Sequence, residues 1–286
     1  MNWPQALGQG EWVSRRDLQT TRGTFAGLIN MPNDASLPRG SVLLVPGFTG
    51  SKEDFSLLLP LLAQAGWAAA AYDQRGQYET TAQPRDDFSL SGLAADAAAV
   101  SEAAFGTAER VHLVGHSFGG LVAATAAIEH RDTWASLTLM CSGPGAFQLE
   151  DKRRDLLWAA DMVGSHGMEA LYSANRERDR RAGVQPDPPD VEEFRHTRMS
   201  AHSPEALAAM ARLLVDTPEL TESLAALEIP VSVLRGENDD AWPHDVQEDL
   251  AKALGTRTVV IPGAAHSPAR EQPEETRDAL ARIWLA

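Results

Sequence analysis

Serine is a weak nucleophile unless its surroundings activate it, and one serine of this chain lies where a fold can do so. Val111-His112-Leu113-Val114-Gly115-His116-Ser117-Phe118-Gly119-Gly120 reads as an apolar strand, then G-x-S-x-G, then an alanine-rich helix from Leu121 to Ile128. Gly115 and Gly119 permit the tight strand-to-helix turn that holds a serine in strained backbone and presents its hydroxyl above a sheet. The helix N-terminus behind Ser117 favours developing negative charge. The backbone N–H of Phe118, the next residue, is one donor for an oxyanion. Acyl transfer also requires a base and an orienting carboxylate, in the chain order Ser, Asp or Glu, His. Gly236-Glu237-Asn238-Asp239-Asp240 follows the apolar run Val231–Leu234, and Pro262-Gly263-Ala264-Ala265-His266-Ser267 follows Val259–Ile261. Each candidate falls just past the carboxyl end of a strand, where open α/β sheets place their ligands.

Such a site needs a sheet beneath it. Short β-like runs alternate with helical patterns through most of the 286 residues, the rhythm of a mostly parallel sheet with crossover helices on both faces. Buried strands are expected at Ser41–Val45, Ala68–Tyr72, Val111–Val114, Ser136–Met140, Val231–Leu234 and Thr258–Ile261, with Thr24–Asn30 as an antiparallel edge. Ser51 with an acid three residues on, Asp54, opens a helix expected to run to about Ala65. Further helices fit Leu90–Ala104, Phe118–Glu129, Asp245–Leu254 and Glu274–Trp284. Between about Phe147 and Thr221 there is no convincing strand, only helical patterns rich in Arg, Asp and Glu, bent by Pro186-Asp187-Pro188-Pro189. The expected organisation is a core domain of residues 1–146 and 221–286 interrupted by a helical cap or lid over 147–220.

With these motifs in this order, the sequence resembles the α/β-hydrolase family over essentially its whole length. The resemblance implies that Ser117 is the nucleophile, His266 the general base and Asp239 the orienting acid; Asp239, not Asp240, matches the family's G-x-x-D spacing from Gly236. It likewise implies an oxyanion donor in the loop after Ser41–Val45. There Pro46-Gly47-Phe48 is similar to the family's H-G-x motif and assigns the donor to the Phe48 N–H. Pro46 replaces the usual histidine, but the donor lies two residues later, so the hole is expected to survive with altered packing behind it. Tyr72-Asp73-Gln74-Arg75-Gly76 resembles the family's D-x-R-G turn, whose Asp and Arg fix loops through charge-assisted hydrogen bonds. Downstream the match fails: Gln77-Tyr78-Glu79 stands where relatives have small residues, with Tyr78 and Glu79 placed either at a pocket mouth or on a solvated loop. Together these imply a serine hydrolase cleaving an ester, or a related acyl compound, of a small to medium, largely uncharged substrate, without a cofactor. A serine nucleophile excludes relatives that use aspartate, namely haloalkane dehalogenases and typical epoxide hydrolases. Hydrolysis of C–C, thioester or lactone bonds, cofactor-free perhydrolysis, and a ligand receptor with little turnover remain open on the same triad.

The remaining signals exclude more than they add. Lys and Arg total 25 against 40 Asp and Glu, a net charge of −15, which argues against nucleic acid or an anionic membrane as partner. The single cysteine, Cys141, forms no internal disulfide, and the start MNWPQALGQGEWVSRR lacks a basic segment followed by an apolar one, so a cytoplasmic protein is expected. His166, His196 and His202 show no metal-ligand spacing, and the acids within Arg176–Arg181 mark a solvated helix face. Met162, Met168, Met199 and Met210 suit either a pocket under the lid or cap-to-core packing. His112, His116, Trp67 and Trp242 are expected to support the structure.

Overall fold

The computed structural model describes residues 13–32 and 38–285. Residues 1–12 of the stretch read for a secretory signal lie outside them. Strands β1 (Val13–Thr20), β2 (Gly23–Asn30), β3 (Ser41–Val45) and β4 (Ala68–Tyr72) are followed by β5 (Val111–His116), β6 (Trp134–Met140), β7 (Val231–Gly236) and β8 (Val259–Ile261). They form one eight-stranded sheet in the order β1-β2-β4-β3-β5-β6-β7-β8. The pairs β1·β2 and β2·β4 are antiparallel, and the rest are parallel. β3 and β4 are buried at every position, as a strand covered on both faces must be.

Among the described residues the helices are α1 (Leu58–Gln64), α2 (Leu90–Phe105), α3 (Phe118–Glu129), α4 (Glu150–Arg181), α5 (Pro189–Ser200), α6 (Pro204–Asp216), α7 (Thr221–Ala225), α8 (His244–Ala253), α9 (Pro268–Glu271) and α10 (Pro273–Leu285), with two short 3-10 turns. One apolar cluster joins one face of the sheet to α2, α3 and α8; a second joins the opposite face to α1 and α10.

Two expectations are corrected. The strand at Thr24–Asn30 is antiparallel but is not the edge, because β1 pairs along its whole outer side. The helix expected from Ser51 to Ala65 is two pieces, a 3-10 turn at Lys52–Phe55 and then α1. Pro60 accounts for the break: it has no N–H and is tolerated only in a helix's first turn, so a new helix starts just before it.

Helices α4, α5 and α6 are inserted between β6 and β7, with the proline-rich bend joining α4 to α5. α4 reverses direction at Gly167, whose φ of 80° and ψ of 178° are not helical. Arg178 on the second arm therefore reaches Asp155 on the first at 3.1 Å, although 23 residues of straight helix would span about 35 Å. The insertion has its own apolar cluster, including Val163, Met168, Met199 and Leu207, and Phe48 from the loop after β3 packs against both it and the core. Met162 also packs on the insertion's cluster, whereas Met210 belongs to the core cluster.

Candidate active site

β5 ends at His116 and α3 begins at Phe118, so the turn between them is the single residue Ser117, with φ 55° and ψ −121°. A side chain disfavours that region, and the surrounding bonds must hold it there. Ser117 N donates to Met140 O on β6 at 2.9 Å, and Gly120 N donates to Ser117 O at 2.8 Å. Gly119 lets α3 approach the end of β3: a methyl group on it would lie 2.4 Å from Val45 O and 2.5 Å from Pro46 O.

The loops after β7 and β8 are fastened to each other. Glu237 N donates to Ile261 O at 3.0 Å, Asn238 N to Ala264 O at 2.8 Å, and Gly263 N to the Glu237 carboxylate at 2.9 Å. Asp239 and His266 thereby meet, with His266 Nδ1 2.7 Å from Asp239 Oδ1 and His266 Nε2 3.0 Å from Ser117 Oγ. A carboxylate only accepts, so Nδ1 carries the proton and the Nε2 lone pair faces the serine hydroxyl. The Asp239 side chain is fully buried, while that of His266 remains 31% exposed. Burial by itself raises the Asp239 carboxyl, but hydrogen bonds from His266, Ala241 N and Gln247 Nε2 outweigh it and hold the group below the usual carboxylate range. Asp240 is exposed.

His116, next to Ser117 in sequence, is tied to the loop after β8. Its Nε2 donates to His266 O at 2.6 Å, fixing the backbone of the histidine loop, and burial pushes its imidazole down to about 4. His112, at the other end of β5, bonds Ser136 Oγ and stacks on Trp284. Cys141 Sγ lies with a ring nitrogen of His116 and of His266 inside a 4.8 Å cluster. A soft ion there would have to displace hydrogen bonds that both nitrogens of His266 already make.

The loop after β3 runs beside the serine, since a methyl group on Gly47 would lie 3.1 Å from Ser117 Cβ. Its carbonyls are held from the loop after β4: Gln74 Nε2 donates to Pro46 O and Gln77 Nε2 to Gly47 O, each at 2.8 Å. Pro46 thus contributes a carbonyl, which proline retains. Phe118, first in its helix, has no partner one turn back for its N–H, and none is found for the Phe48 N–H among the described residues.

Asp73 and Arg75 are structural, as expected. Lys52 Nζ lies 2.9 Å from Asp73, 2.7 Å from Glu53 and 2.7 Å from Glu79. Arg75 forks onto Asp96 with two 2.7 Å bonds and reaches Asp86 at 3.0 Å. Tyr78 packs edge-on against Phe194 of α5, and Arg198 of α5 pairs with Asp54 at 2.7 Å, so the insertion is tied both to the loop after β4 and to the turn that follows the Gly47 loop. Trp242 stacks on Phe147 and Trp67 packs against Trp284. The arginines of Arg176–Arg181 pair with neighbouring acids, and His196 pairs with Glu169.

Gln247, Gln74 and Gln77 are contributors that motif reading does not reveal. Gln247 carried a signal: with Leu250 and Ala251 it occupies the buried face of α8, and a polar residue at a core position of an amphipathic helix needs a buried partner.

A pimeloyl-(acyl-carrier protein) methyl ester esterase of Neisseria meningitidis serogroup C is 29% identical over 247 residues, covering 79% of this chain and 86% of that protein. RutD of Variovorax paradoxus is 35% identical over 100 residues, and the match spans only 37% of its length. The structure of a thermophilic esterase from Thermogutta terrifontis superposes with a TM-score of 0.74 at 27% identity, over 95% of this chain and 98% of that one. The model of the alpha/beta hydrolase family matches residues 42–279. The chain belongs to the alpha/beta hydrolase family.

Proposed function

We propose that the protein is a serine esterase that cleaves a carboxylic ester of a small to medium, largely uncharged substrate through an acyl-enzyme. The observation that carries this reading is the bonded series Asp239, His266, Ser117, at 2.7 and 3.0 Å with the tautomer fixed. His266 Nε2 takes the Ser117 proton as Oγ attacks the ester carbonyl, and the Phe48 and Phe118 N–H groups receive the oxyanion. His266 then protonates the leaving alcohol, and water repeats the steps on the acyl-enzyme. Asp239, ionised and buried, stabilises the imidazolium in between. Residues 147–220 act as the lid over the core of 1–146 and 221–286, and the apolar cluster against which Phe48 packs suits an uncharged acyl or alcohol group. The esterases among the similar proteins support the choice of an ester.

Purified protein and Ser117→Ala, assayed on chromogenic esters from acetyl to dodecanoyl with a phosphonate titrant, test the reading. Turnover that requires Ser117 and peaks at one chain length is the expected outcome. Wild-type-like turnover in Ser117→Ala would remove Ser117 from the chemistry, and phosphonate labelling without ester turnover would move the reaction to another acyl bond.

A further inference from the structure

Gln77 lies forty residues from Ser117 in sequence and its amide bonds Gly47, Gln74 and Met210, not a residue of the triad, so that it is fixed on three sides. The residue is completely buried. Nε2 donates to Gly47 O at 2.8 Å and lies 3.8 Å from Met210 Sδ on α6, while Oε1 accepts from Gln74 N at 3.2 Å. With both faces of the amide engaged, it cannot flip without losing these bonds.

Gly47 O, its main target, belongs to the same peptide unit as the Phe48 N–H. The described chain has no cis peptide bonds, and in a trans unit the C=O and N–H point in opposite directions. Holding Gly47 O toward Gln77 therefore aims the Phe48 N–H the other way. Gly50 N adds a second bond to the same oxygen at 3.1 Å, and Gln74 pins the preceding carbonyl. A glycine at 47 loosens the torsion on one side of this unit, so its direction depends on such bonds. Glutamine suits the place because it donates from a buried position without bringing an unpaired charge.

We infer that Gln77 is a positioning residue that sets the direction of the Phe48 N–H, the second donor to the oxyanion; this rests on the esterase reading above. The probe is a p-nitrophenyl alkylphosphonate. Ser117 Oγ bonds to phosphorus, the bond to p-nitrophenolate breaks, His266 takes the proton, and the phosphoryl oxygen occupies the oxyanion's place. Gln77→Met keeps the length and loses the donor. It should be labelled about 10- to 100-fold more slowly than wild type, since losing an oxyanion donor outright costs 10²–10³. Ester kcat should fall equally with KM within about twofold, and a boronic acid should bind more weakly while the carboxylate product binds as before. Gln77→Leu, equally unable to donate and free of charge, carries the test if the methionine variant does not fold. Labelling at the wild-type rate in either folded variant, or product binding lost in step with kcat, overturns the inference. Absence of Ser117-dependent labelling in the wild type overturns the esterase reading instead.

Discussion

Replacing Asp239 by Asn tests how the proposed acid works, because the two oxygens of Asp239 have different partners. Oδ1 accepts from His266 Nδ1 and from Ala241 N at 3.1 Å, and Oδ2 accepts from Gln247 Nε2 at 3.0 Å. An asparagine with its NH₂ at the Oδ1 position faces the immovable Ala241 N–H and forces His266 into the wrong tautomer. With its oxygen there, it keeps both bonds and meets only Gln247, a side chain whose Oε1 has no partner and can be turned toward it for the loss of one 3.3 Å bond from Nε2 to Trp242 O. The second arrangement should win, so the variant loses the charge and keeps the tautomer. A unit charge ~4 Å from the imidazolium at an effective dielectric of ~20 is worth about 4 kcal/mol. That is about three decades in rate, somewhat less than the ~10⁴ seen where the wrong tautomer is enforced. Steady-state kcat on the best ester, with sites counted by phosphonate burst, measures the loss. A fall of less than about tenfold, or one confined to KM, would refute this account of Asp239.

Stability should fall as the pH drops from 6.5 toward 4. Burial lowers His112, His116 and His202 each to about 4, so the unfolded chain binds more protons across that window. Asp73, raised by its burial, works in the opposite sense and offsets part of this, so the slope stays below the about 4 kcal/mol per pH unit that three histidines give at most. Urea midpoints at pH 7.5 and 5 measure it, and His202→Gln should shrink the difference; a flat profile contradicts the argument. Lys52→Ala leaves the carboxylates of Asp73 and Glu53 buried without their cation and should cost about 3–5 kcal/mol in chemical denaturation. A cost under about 1 kcal/mol would show that water reaches the cluster.

What the sequence discloses follows from how local each cause is. The elbow is legible because Gly115, Ser117 and Gly119 encode one turn within five residues, and α3 occupies the expected Phe118–Glu129. Asp239 and His266, the proposed acid and base, are legible because each lies within a few residues of the end of an apolar run. β1 is not: of V-S-R-R-D-L-Q-T only Leu18 is buried, so its extended form comes from pairing with β2 and leaves no hydrophobic alternation to read. The glutamines are hidden for a related reason. Gln77 acts on Gly47 across 30 residues of chain, and nothing in its neighbourhood names the partner.

The two ends of the sheet differ in a way that bears on how copies of the chain meet. β1 carries Arg15, Arg16 and Asp17, all exposed, on its outer strand, and charged side chains there oppose the docking of another strand. At the far side β8 is three residues long, too short to template an extended pairing. Neither border invites growth of the sheet into a neighbouring molecule, so crowded or concentrated protein is guarded from ribbon-like aggregation while the fold is intact.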